Sequence, residues 1–210
     1  MQETRGLSIK DRWKEECNTP KKFWRLASGT VVIFTIMELL PYFFRDIEKR
    51  NGVVLHDWVL EQLPAHNVSV LIFIIIWGMG LLILYRAIYK PVIYVKYAWA
   101  LSFVCIARLT AIWLVALNPP VGLIPLADPL TGIFYGHAII TKDLFFSGHM
   151  STVMLMLLCM EKKSDKIITA VCLILLAFLL LVQHIHYTVD VVAAPIVTYA
   201  MYRLADYLLF

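Results

Sequence analysis

Charge is scarce in this 210-residue sequence. Asp, Glu, Lys and Arg together make up 16% of it, where an ordinary soluble domain carries about 25%. Internal repeats and low-complexity tracts are lacking as well. Hydrophobic residues reach 60% and the mean hydropathy is +0.75. Runs of about 20 apolar residues, enough to cross a hydrocarbon core, recur along the chain. Six such runs with their connections use most of the residues, which leaves no room for a second domain. Cysteine is sparse: Cys17, Cys105, Cys159 and Cys172. They form no Cys-x-x-Cys pair, so neither a disulfide framework nor a thiolate metal site organises the fold. The first apolar run lacks a small-residue cleavage pattern and reads as a retained span rather than a signal peptide.

What is present predicts an all-α polytopic membrane protein, a six-transmembrane-helix bundle. The spans fall at roughly 26–44, 68–89, 91–116, 147–160, 167–185 and 190–209. The fourth is short and is expected to extend back into the loop before it. Residues 1–25 form a basic amino-terminal tail, and residues 26–210 form the six-span domain. Asn118-Pro119-Pro120, Pro125 and Asp128-Pro129 forbid a regular helix through 118–129. Ile133 to Ile140 suits a short interfacial segment. Asn67-Val68-Ser69 is a formal glycosylation triplet, too close to a span to be expected in use.

Seven of the 19 Lys and Arg residues precede residue 26. Next to a span this stretch reads as a cytoplasmic anchor at anionic headgroups, not as a nucleic-acid surface. With the amino terminus inside, 14 basic residues near span ends fall inside and four (Arg45, Lys49, Arg50 and Lys142) fall outside. Both termini are therefore expected in the cytoplasm. The 45–67 loop, the 117–146 loop and the turn at 185–190 are expected on the extracytoplasmic face.

An ionisable residue inside a span costs about 2.5–3.5 kcal/mol on insertion scales, so each one asks for a reason. They are Glu38, Arg108, His149, His184, His186 and Asp190. On a helix, His186 and Asp190 would lie one turn apart on one face. The carboxylate would then fix the imidazole tautomer and leave the other ring nitrogen nucleophilic. Ser147-Gly148-His149 opens the fourth span. There glycine allows close backbone approach, and a helix start can hold a phosphate. The topology brings both clusters to the same face. Arg108 is either a phosphate-neutralising cation or a residue snorkelling to the interface. Glu38, before Pro41, either pairs with Arg108 or solvates a kink. His184 is either functional or a structural residue of the turn. A metal on His184, His186 and Asp190 is disfavoured, because a His-x-His pair suits a strand better than a helix.

Phe146-Ser147-Gly148-His149 and His184-Ile185-His186-Tyr187-Thr188-Val189-Asp190-Val191 resemble the two signature motifs of the sphingomyelin synthase-like branch of the type-2 phosphatidic acid phosphatase superfamily. Asp143 sits where that family has an aspartate. Arg108-Leu109-Thr110 resembles its arginine-led motif in the third span, and Leu55-His56-Asp57 is loosely similar to an outer-loop motif. The resemblance implies a metal-free catalytic triad of His149, His186 and Asp190 that needs no cofactor. In it His186 is the nucleophile that forms a phosphohistidine, Asp190 orients it, and His149 exchanges protons with the lipid alcohols. Ser147, Gly148, Arg108, Asp143, Lys142, His184 and Tyr187 are the residues expected to bind substrate.

The chain departs from the family at several points. Met150 replaces the usual threonine, and Thr141-Lys142 replaces a Cys-Gly. Leu179 and Leu180 stand where the broader phosphatase pattern has Ser-Arg, and no Arg-Pro occurs anywhere. Leu179 and Leu180 and the missing Arg-Pro favour the synthase-like branch over a plain phosphatase. The implied activity is transfer of a phospho-headgroup from a phospholipid to a lipid alcohol. The alternatives are a lipid phosphate phosphatase that uses water as acceptor and a non-catalytic transporter. The 45–67 loop is expected to cover the entrance of the site.

Overall fold

The computed structural model describes residues 7–126 and 140–210. Among the described residues there are eight helices: α1 (Ile9–Glu16), α2 (Pro20–Ile47), α3 (Trp58–Glu61), α4 (Ser69–Tyr89), α5 (Pro91–Leu114), α6 (Gly148–Cys159), α7 (Lys163–Val182) and α8 (Thr188–Leu209). Asp128-Pro129 and most of the expected 133–140 segment lie outside the described residues.

Local chemistry places the helix ends. Thr19 caps α2 by accepting the Lys22 amide, and Pro20 follows at the first helical position, where its missing N–H costs nothing. Lys90 alone separates α4 from α5, and Pro91 starts the latter. The Asn67 side chain accepts from both the amide and the hydroxyl of Ser69. The glycosylation triplet is thus folded into the start of α4.

The helices α2, α4, α5 and α7 are long and apolar enough to cross a membrane, which marks an integral membrane protein. The other two expected spans differ. Helix α6 has 12 residues, about 18 Å at 1.5 Å per residue, against a core about 30 Å thick. It does not extend back as expected, because Ser147 caps it: the Ser147 hydroxyl accepts the Met150 amide at 3.4 Å. Helix α8 runs 22 residues, but Asp190 and Arg203 interrupt its apolar character.

Helix α5 packs against α2, α4, α6 and α8, and α6 also contacts α4, α7 and α8. The main core sits among α4 to α8. Ile72, Val153, Leu155, Leu176, Leu180 and Ala194 are fully buried there. Outward faces are apolar too, with Phe34, Ile74, Leu81, Ile106, Ile174 and Ile196 exposed, as lipid-facing surfaces require.

Ion pairs join the helices at one end of the bundle. Arg86 of α4 grips Asp165 of α7 through two hydrogen bonds of 2.6 and 3.0 Å. Lys96 of α5 meets Asp206 of α8 at 2.7 Å, and Lys90 pairs with Glu161. At the same end α1 lies against the close of α4, where Arg12 and Trp13 donate to the carbonyls of Tyr89 and Ile88.

The two loops at the other end are paired with each other. Val53 and Leu117 form a parallel bridge. The Asn118 side chain donates to the Gly52 carbonyl at 2.8 Å and accepts the Gly52 amide at 3.2 Å. Residues 118–126 are non-helical, as the prolines require.

Candidate active site

The segment after α7 gathers three buried polar residues, Gln183, His184 and His186. His184 adopts φ +55°. Its amide bonds the Leu181 carbonyl, and the Ile185 amide reaches the Leu180 carbonyl. This is the left-handed pattern that commonly closes a helix. His184 therefore lies in the turn, off either helix. Its ring nitrogens face the carbonyls of Val121 and Leu63 at 3.1 and 3.0 Å. Gly122, itself at φ +81°, approaches the ring closely. His184 does not join His186 and Asp190 as a third ligand.

His186 is also outside a helix. Helix α8 begins at Thr188 with Tyr187 as its cap, so the expected one-turn helical spacing from His186 to Asp190 is not what joins them. Asp190 sits in the first turn, and its carboxylate folds back over the helix start. Its Oδ2 accepts the Tyr187 amide at 3.1 Å and lies 3.5 Å from Nδ1 of His186. At that distance Nδ1 of His186 has no hydrogen-bond partner among the described residues. Asp190 is fully buried, His186 is 3% exposed, and Asp190 Oδ1 has no hydrogen-bond partner among the described residues.

The Ser-Gly-His segment meets this pair directly. The Ser147 amide donates to the Asp190 carbonyl at 3.2 Å. The His149 and His186 rings stand edge to face with centroids 6.2 Å apart. Behind them, Arg108 of α5 donates to the Phe146 carbonyl at 2.9 Å and pairs with Asp143. The carboxylate beside Arg108 is thus that of Asp143, while Glu38 lies exposed on α2. Gly148 lets Arg108 in: a Cβ there would lie 2.7 Å from the guanidinium carbon. Ser147, Gly148, His149, Arg108, Asp143, His186 and Asp190 therefore come together.

Residues 140–207 match the family model for the PAP2 superfamily C-terminal region. The match spans about a third of the chain and covers every residue of this cluster except Arg108. It supports the type-2 phosphatidic acid phosphatase superfamily, whose members are phosphatases and phosphotransferases. No curated protein matches the chain.

Three other expected substrate residues are engaged by the loops paired at this end of the bundle. Lys142 donates its ammonium to the carbonyls of Glu48 and Arg50. The Tyr187 hydroxyl donates to the Asn118 carbonyl at 2.9 Å and accepts the Leu55 amide at 3.1 Å. The third, His184, is held as described.

Gln183 and Glu48 shape the site without having been marked in the sequence, and Asp57 was marked only by the loose similarity of Leu55-His56-Asp57. Gln183 is fully buried. It accepts the Val68 amide and donates to the Ser69 hydroxyl and the Ile124 carbonyl. A neutral amide closing an apolar helix is visible in sequence, but a search confined to ionisable groups passes over it. Glu48 accepts the amides of Thr141 and Lys142. Asp57 accepts four hydrogen bonds, from the amides of Val59, Leu60 and Thr188 and from the Thr188 hydroxyl. Burial pushes the Asp57 carboxyl up, but these bonds outweigh it and hold the group below its usual range.

Proposed function

We propose that this chain is a sphingomyelin synthase-like lipid phosphotransferase that moves a phospho-headgroup from a phospholipid to a lipid alcohol through a phosphohistidine. The observation that carries the reading is the convergence of His149, His186 and Asp190, with ring centroids 6.2 Å apart and the carboxylate 3.5 Å from Nδ1. The match over residues 140–207 is consistent with it.

Asp190 holds the proton on Nδ1 of His186, which leaves Nε2 with its lone pair. Nε2 attacks phosphorus and the bond from phosphorus to the lipid alcohol oxygen breaks. His149 protonates that leaving oxygen. An acceptor alcohol then gives its proton to His149 and attacks phosphorus, and the N–P bond breaks. Each step exchanges one phosphate linkage for another, so no nucleotide donor is needed. Arg108 and the start of α6 offset the phosphate charge. Helices α6 and α8 complete a six-span bundle. Both termini are cytoplasmic and the histidines lie on the extracytoplasmic face, following the basic-residue asymmetry.

The same residues would serve a lipid phosphate phosphatase with water as acceptor, and the superfamily match favours that reading equally. Purified protein incubated with a phospholipid radiolabelled in its phospho-headgroup tests both. Label bound covalently, stable to base, lost in mild acid and absent from His186→Ala is expected. Transfer of the label to ceramide or diacylglycerol identifies the transferase, and release into water identifies the phosphatase. Full turnover by His186→Ala overturns the mechanism.

A further inference from the structure

Helix α8 carries Asp190, yet its own cap residue cannot close its start. Tyr187 lies in the cap position and makes no side-chain bond to the helix amides. Its phenol points away to Leu55 and Asn118. The Asp190 carboxylate takes the Tyr187 amide, and the next amide, that of Thr188, needs an acceptor from elsewhere. Asp57 supplies it from the outer loop. Its Oδ2 accepts the Thr188 amide at 2.6 Å and its Oδ1 accepts the Thr188 hydroxyl at 3.0 Å. Oδ1 also accepts the Val59 and Leu60 amides at 3.1 and 3.3 Å, which caps α3. One carboxylate thus closes two helix starts distant in the chain. The second lies between His186 and Asp190 in sequence.

We propose that Asp57 is a positioning residue for the His186–Asp190 pair, holding the first turn of α8 so that the Asp190 carboxylate meets Nδ1 of His186. The inference deepens the phosphohistidine reading and rests on it for its kinetic consequence. At 3.5 Å the carboxylate faces Nδ1 just short of a hydrogen bond, so a small rotation of the helix start away from the ring loses the contact. His186 then divides between two tautomers, and the one protonated at Nε2 cannot attack phosphorus. Substrate contacts made by other residues persist, so the loss falls on turnover rather than on KM. Asp57 itself touches neither imidazole and is not a catalytic residue.

The test uses the full chain in lipid nanodiscs, with Asp57→Ala, Asp57→Asn, Thr188→Val and Thr188→Ser. Headgroup transfer from a labelled phospholipid gives kcat and KM. Nitrogen-15 NMR of histidine-labelled protein, assigned by difference against His186→Ala, gives the His186 tautomer without reference to activity. Asp57→Ala is expected to lower kcat by about tenfold or more with KM little changed, the scale of a misplaced catalytic group. The same variant should turn the single Nδ1-protonated His186 signal into a mixture. Asp57→Asn, with one acceptor oxygen left, should fall between it and wild type. Thr188→Val should show a smaller loss and Thr188→Ser should match wild type. An unchanged His186 signal and kcat in both Asp57→Ala and Thr188→Val would overturn the proposal. If Asp57→Ala does not fold, Thr188→Val, which leaves the cap of α3 in place, carries the comparison. If His186→Ala stays active, the phosphohistidine reading fails by itself. The tautomer measurement still decides whether Asp57 positions the pair.

Discussion

The rings of His149 and His186 meet edge to face at 6.2 Å, with their planes 65° apart. Two imidazoles so placed can flank one phosphoryl group, one attacking phosphorus and the other serving the oxygen that leaves. Replacing either by alanine is expected to abolish transfer while the protein still elutes as a folded species in detergent. Asp190→Asn keeps the shape but mis-sets the tautomer, and turnover should fall by roughly 10⁴ by analogy with serine-protease triads. Initial rates with a fluorescent phospholipid measure all three.

Gly148→Ala should be damaging although alanine is the better helix former. The added methyl meets the Arg108 guanidinium at 2.7 Å, which can yield only by giving up its bonds to Phe146 and Asp143, and overpacking costs about 1–3 kcal/mol. The detergent unfolding midpoint should drop and activity should fall with it. In an Arg108→Ala background the same substitution should cost little stability, because the clash is gone.

Acid should loosen the 48–68 loop through Asp57. Its carboxyl is held below the ordinary range by its hydrogen bonds. Its stabilisation is therefore complete above the ordinary carboxylate pKa, near 4, and is lost as pH falls through the lower folded value. In unfolding midpoints measured from pH 6 downward, Asp57→Asn should remove part of this acid limb and leave the neutral limb nearly parallel to wild type.

Sidedness is open to direct labelling. Val121 and Lys163 are exposed at opposite ends of the bundle. In a background without Cys17, Cys105, Cys159 and Cys172, Val121→Cys should react with a membrane-impermeant thiol reagent on intact cells. Lys163→Cys should react only after permeabilisation. The reverse pattern would move the histidines to the cytoplasmic side.

The Arg86–Asp165 contact should matter to assembly rather than chemistry. Asp165→Ala leaves Arg86 without its bidentate partner and should lower the unfolding midpoint. The charge-reversed pair Arg86→Asp with Asp165→Arg should recover part of the loss, with KM unaffected throughout.

The long apolar runs were legible because lipid-facing helices are apolar on every side, and α4 and α5 lie within two residues of their expected bounds. That His149, His186 and Asp190 lie close together was foreshadowed because ionisable groups in apolar surroundings are conspicuous. The helix ends around the site were harder to read. Helix α7 stops at Val182 because His184 takes a left-handed conformation stabilised by carbonyls of two separate loops, contacts that no local pattern encodes. The bonds from Asp57 to Thr188 and from Tyr187 to Leu55 and Asn118 were hidden for the same reason. Lys142 was singled out for its charge, but its partners are main-chain carbonyls that carry no sequence signature.

The junction between Ser147 and Asp190 runs from main chain to main chain, so it is indifferent to which side chains those positions bear. Proline at 147 removes the donor, while almost any other exchange leaves this strut standing. Variation can therefore rework the side chains of the two segments without first dismantling the seam that holds them together.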